Sequence, residues 1–244
     1  MKRVAYFLVA VLLLNFSWAL LNPAAARSQF VPLSPLFTEM SPGVFVESGP
    51  VSEADIAARL DRARQRVNDW FGSSSATPNI IVAQSETVAK RYGNVFGAMH
   101  GSPLRGGTVM IGPVGLSSVD VIAHELAHAE HLSRAGYLRW TLTPAWFIEG
   151  LGMQVDWRDA FRSEAPADLQ KSLPRVRQWF SFREFAQDNL REHYRSSAQT
   201  VRSLDQVLGR DALLELATGF PLYRSFDRSL ELALAENCGD CDLP

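Results

Sequence analysis

His124-Glu125-Leu126-Ala127-His128 stands inside a run of helical periodicity over residues 116–134, and Trp146-Phe147-Ile148-Glu149-Gly150-Leu151-Gly152 follows it. In a helix opened at Ser117 the two histidines lie one turn apart on the same face, so their imidazoles converge on a single metal ion. Zinc, a borderline-soft cation, takes neutral imidazole nitrogen readily, and two histidines fill two of its four tetrahedral positions. Glu125 follows the first histidine directly. Its carboxylate can reach a water on the same metal from the side, which makes it the candidate general base. Without a further ligand, the same five residues describe a buried helix with incidental histidines, so the third ligand decides between the two.

The metzincin arrangement would place glycine three residues after the second histidine and another histidine three further on. His131 and Arg134 occupy those positions, which excludes it. His131 shares the metal face but lies about 10 Å along the axis from His124, too far to bind the same ion, and is expected behind the ligands or at the surface. Glu149 is the better candidate. Thr143 and Pro144 form a helix start, as N-cap and first helical residue, and Glu149 lies little more than one turn inside it. Gly136 and the residues after it permit a reversal. The twenty residues between His128 and Glu149 suffice to finish one helix, turn, and bring a second back across the metal face. Gly150 and Gly152, without side chains, let the two helices approach closely there. One zinc per chain on His124, His128 and Glu149, with water in the fourth position, is the expected site.

Outward from this centre, Val44–Glu47, residues 79–83 and residues 108–111 read as strands, and residues 52–71 as a helix with its start signal at Ser52-Glu53-Ala54-Asp55 and its stop at Gly72. After Gly115 the pattern turns helical, over residues 116–134, 144–157, 182–190, 193–208, 211–218 and 225–235. Strands gather early and helices late. The fold class expected is α+β: a small mixed sheet in an N-terminal lobe packed on a mostly helical C-terminal lobe, with a cleft between. Trp140, Trp146, Trp157 and Trp179 cluster in sequence around that cleft and are expected in the core.

Residues 119–155, with His-Glu-Leu-Ala-His and then Trp-Phe-Ile-Glu-Gly-Leu-Gly, resemble the gluzincin clan of zinc metallopeptidases, in particular the small bacterial peptidase-MA-like group. The resemblance implies a zincin fold with a thermolysin-like catalytic core, zinc on His124, His128 and Glu149, Glu125 as base and proton shuttle, and a peptide or protein substrate. It also implies that residues 108–111 are the edge strand lining the cleft and pairing with an extended peptide. In that clan a Tyr or His from the C-terminal lobe stabilises the oxyanion. His193-Tyr194-Arg195-Ser196-Ser197 followed by Leu208-Gly209-Arg210 is similar to the corresponding segments and points to Tyr194, with His193 in reserve; the bland reading is an amphipathic helix start carrying an exposed aromatic. Two features depart from better-known members. Gly97-Ala98-Met99-His100-Gly101 is similar to the exopeptidase motif of M1 aminopeptidases, but His100 replaces the glutamate that captures an amino group, and the likeness reads as accidental. Met153 stands where thermolysin-like enzymes carry an aspartate that orients a zinc-bound histidine, so another partner is needed. Asp120 is available, although with Ser117 it reads better as a capping box.

Lys2 and Arg3 precede an apolar run from Val4 to Leu21, and Pro23-Ala24-Ala25-Ala26 has the small-residue pattern of a signal-peptidase site. Residues 1–26 are therefore expected to be a signal peptide, cleaved after Ala26 or retained as a membrane tether, and the rest of the chain exported to the periplasm or secreted. Residues 27–42, with Pro32, Pro35 and Pro42, read as an extended lead-in or surface-hugging arm without regular structure, leaving residues 43–244 as the catalytic domain. Export favours a local disulfide between Cys238 and Cys241. The 24 basic residues nearly balance 26 acidic ones with no basic stripe, which argues against a nucleic-acid partner; the chain is expected to act as a monomer. The competing class is a catalytically silent peptidase-like scaffold that holds a partner in the cleft. A purely structural zinc would need a fourth protein ligand, and the sequence offers none.

Overall fold

The computed structural model describes residues 23–102, 106–161 and 167–237. It is a mixed α+β fold, as the segregation of patterns predicts. The strands are β1 (Phe37–Ser41), β2 (Val44–Glu47), β3 (Asn79–Val82), β4 (Gly97–Ser102) and β5 (Gly106–Ile111), in the spatial order β1-β2-β3-β5-β4. The three inner strands run parallel, while β1 and β4 are antiparallel edges. Alternate residues of the inner strands serve two cores. Val44, Val46, Ile80, Val82, Val109 and Ile111 face the main core; Phe45, Ile81 and Met110 face a smaller one with Val31, Ala89 and Tyr92.

Helices α1 (Pro23–Ser28), α2 (Glu53–Phe71), α3 (Glu86–Tyr92), α4 (Pro113–Leu116), α5 (Val119–Leu142) and α6 (Ala145–Gly152) are followed by α7 (Leu169–Val176), α8 (Phe182–Phe185), α9 (Leu190–Leu208), α10 (Arg210–Gly219) and α11 (Phe226–Asn237). The start and stop signals of α2 act as expected: Ser52 caps the Asp55 N–H, and Gly72 ends the helix at φ 81°. Helix α5 packs between the sheet and α2, α6 and α10. Its buried Glu130 accepts hydrogen bonds from the Ser75 and Ala76 N–H groups and from Arg134, which pins the loop after α2 onto the helix. Gly136, where a reversal was expected, breaks the helical backbone at φ 72°, ψ 158°, and helical turns then continue to Leu142 before α6 begins at Ala145. Trp146 and Phe147 of α6 are fully buried, and the segment after them returns across the face of α5.

Three expectations need correction. Residues 108–111 do not form the edge strand: β5 lies between β3 and β4. A strand apolar on both faces belongs inside a sheet, whereas glycine-rich β4 has little strand propensity of its own and is held by pairing with β5. Residues 27–42 are not without regular structure. Phe37–Ser41 pairs with β2 through a tight turn at Gly43 (φ 77°), so a boundary between 42 and 43 would cut a hairpin. The prolines precede and follow the strand rather than interrupt it. Ser118, not Ser117, caps α5. The leader over residues 1–22 and the Cys238–Cys241 pair lie outside the described residues, and the bond after Ala26 falls within α1. Among the described residues no helix is long and apolar enough to cross a membrane.

Candidate metal centre

Helical spacing on α5 brings His124 and His128 together as the sequence predicts, with Nε2 atoms 3.0 Å apart and rings edge to face. From α6 the Glu149 Oε2 stands 3.1 Å from His124 Nε2 and 3.5 Å from His128 Nε2. All three side chains are buried. Three donors on one tetrahedral zinc would lie about 3.4 Å apart given ligand bonds near 2.1 Å, so the trio is close to the spacing of a ligand set. Among the described residues it is the one group of three or more histidine, cysteine or carboxylate side chains able to share an ion. Burial alone would raise the Glu149 carboxyl, but the His128 and His124 imidazoles outweigh it and hold the group well below the ordinary carboxylate range. An ionised carboxylate and two imidazole nitrogens are a hard-to-intermediate donor set that suits zinc.

No protein-family model, curated protein or solved structure matches this chain. The chemistry therefore rests on the geometry itself.

The trio lies at the floor of a cleft of about 880 Å³. Glu125 lines it one residue from His124. Burial pushes its carboxyl above the ordinary value against the pull of the His128 and His124 imidazoles. Gly97 of β4 lies directly over it: a Cβ there would stand 2.8 Å from Glu125 Cγ. Gly97, Ala98 and Met99 form the strand wall of the cleft. The stretch read as an accidental likeness is therefore part of the site, although His100 is not, since its Nε2 turns to the Tyr92 carbonyl at 2.7 Å.

Tyr194, on α9, also reaches the cleft. Its ring centroid is 5.9 Å from that of His124, and Phe161 and Phe185 pack against it. Burial, together with the Glu149 and Glu125 carboxylates, holds its phenol well above the ordinary value, so it is a protonated donor. His193 points elsewhere, with Nδ1 2.7 Å from the Phe185 carbonyl and its ring on Trp179. The exposed-aromatic reading of Tyr194 does not hold.

Behind His124 stands a carboxylate that the sequence could not place there, Asp156. Its buried carboxylate faces His124 Nδ1 at 3.6 Å and also binds Arg158, which lines the cleft. It lies beyond the end of α6, where helical periodicity carries no information. Asp120 instead accepts from Arg66 and from the Trp157 N–H. His131 is buried, not at the surface, and its Nε2 lies 2.9 Å from the Ala217 carbonyl. Gly152 presses against the His124 ring, as expected of a glycine between the two helices, whereas Gly150 makes room for Ser197 and Val201 of α9. Trp146 and Trp179 are core residues, but Trp140 lines the cleft, and Trp157 is half exposed beneath Arg66.

Proposed function

We propose that this protein is an exported zinc-dependent metallopeptidase with a gluzincin-type zincin core, hydrolysing peptide bonds. The observation that carries the reading is the buried convergence of His124, His128 and Glu149 on the floor of an open cleft that Glu125 also faces. A site built for structure alone would be closed by a fourth side chain.

His124, His128 and Glu149 would hold the ion. Bound zinc supplies Lewis acidity, polarising the scissile carbonyl and lowering the pKa of water toward neutrality. Glu125 takes the proton of the attacking water on its carboxylate and returns it to the leaving nitrogen as the C–N bond breaks. Tyr194 donates its hydroxyl hydrogen to the carbonyl oxygen as negative charge builds there. Edge strand β4 presents backbone N–H and C=O groups to an extended substrate, so the chain would be held as an added strand.

The test is metal analysis with digestion of a peptide library. Wild-type protein should carry about one zinc per chain and cleave internal bonds. Glu125→Gln should keep that zinc while turnover falls at least about 10²- to 10⁴-fold. Zinc without cleavage of any peptide would favour the scaffold reading, and loss of zinc in Glu125→Gln would make that residue structural.

A further inference from the structure

The segment that follows the apolar run Val4 to Leu21 is apolar where it meets solvent. Phe30 is 60% exposed, Leu33 82% and Leu36 43%, and Pro32 and Pro35 stand exposed between them. Tight turns fix this row: the Phe30 N–H donates to the Arg27 carbonyl and the Leu33 N–H to the Phe30 carbonyl, each at 3.0 Å. The second of these turns opens a short 3₁₀ helix over Val31–Leu33.

The opposite side is built into the domain. Ala25, Ser28, Gln29 and Val31 are buried. Gln29 donates to the Thr108 hydroxyl of β5 at 3.1 Å, and the Arg27 guanidinium donates to the Arg91 carbonyl at 3.2 Å, where α1 packs on α3. Arg27 therefore sets a cation beside the apolar row. A fixed apolar row with a cation at its start suits the zone between acyl chains and anionic headgroups, where aromatic and aliphatic side chains bury and arginine meets phosphate.

We propose that residues 23–36 are a membrane-docking collar: the leader stays attached, and Phe30, Leu33 and Leu36 insert into the surface of the bilayer that the leader anchors in. Continuity selects this occupant, because the apolar run ends at Leu21, only nine residues before Phe30. Cleavage after Ala26 would split α1 between buried Ala25 and buried Ser28 and discard its first four residues. The inference does not depend on catalysis.

The experiment uses the whole chain reconstituted into vesicles of phosphatidylethanolamine and phosphatidylglycerol. Wild-type protein extracted from cell envelopes should retain the intact mass of 27.1 kDa. In a Cys238→Ser, Cys241→Ser background, an environment-sensitive fluorophore on Leu33→Cys should brighten several-fold on vesicles and be quenched by spin-labelled lipid. The same label on Asp61→Cys, 74% exposed on α2 on the other face of the sheet, should do neither. A chain that begins at Arg27, a dim and unquenched label at 33, or equal brightening at 33 and 61 overturns the proposal.

Discussion

At the scale of single residues the centre divides into groups that a helical period can locate and groups that it cannot. His124, Glu125 and His128 follow from one turn of α5, and Glu149 from a chain-length argument, but Asp156 depends on how the backbone leaves α6. Its carboxylate stands 3.6 Å from His124 Nδ1, close enough to hold that ring once an ion binds on its other side, so Asp156→Asn should weaken zinc binding about 10- to 100-fold; competition with a chromophoric chelator measures this, and an unchanged affinity would leave Asp156 as an anchor for Arg158 alone. His131 gives a pH prediction. Burial, with the nearby His128 imidazole, outweighs the hydrogen bond to the Ala217 carbonyl and lowers its pKa to about 4. Between about pH 6.5 and pH 4 the unfolded chain binds a proton that the folded chain refuses, so stability falls as pH drops through that window. The His131 share is about 3 kcal/mol at most. Denaturant melts of metal-free wild type and His131→Gln should show the shallower acid loss in the variant.

At the scale of elements, α2 was legible because an apolar period and clear end signals agree in it, and β2 and β3 by their short apolar runs; α5 was legible in its body, but its cap is Ser118 and helical turns continue past Gly136 to Leu142 rather than stopping at residue 134. The start of α6 shifts by one residue: Pro144 is the N-cap, and the Thr143 hydroxyl bonds back to the Arg139 carbonyl. Strand β4 was not legible, since Gly97-Ala98-Met99-His100-Gly101-Ser102 carries too few branched or aromatic residues to signal a strand. Its glycine has a function that propensity does not register, because only a hydrogen in place of Cβ leaves room for the Glu125 side chain. Gly97→Ala should displace that carboxylate and lower kcat by about 10²-fold, with zinc content retained; steady-state kinetics beside metal analysis checks it. Unchanged kcat would mean that β4 yields to the added methyl group.

At the scale of the whole molecule the ion would act as a staple between α5 and α6, since its ligands come from both helices and converge only when they are packed. With free zinc at about 100 times its dissociation constant, the folded chain should gain about 2.7 kcal/mol, roughly 5–10 °C in melting midpoint for a domain of this size. Chelation should remove that gain, and Glu149→Ala should lose most of it; calorimetry with and without chelator measures both. What the sequence determined by itself was whatever depends on near neighbours along the chain: the α+β segregation, the histidine pair with its adjacent glutamate, and the helix that returns Glu149. Tertiary structure alone decided which strand lies at the sheet edge, that Asp156 stands behind His124, that Tyr194 rather than His193 faces the cleft, and that residues 37–41 complete the sheet. Each of those depends on contacts between segments far apart in sequence, where the free energy of packing and pairing outweighs local preference.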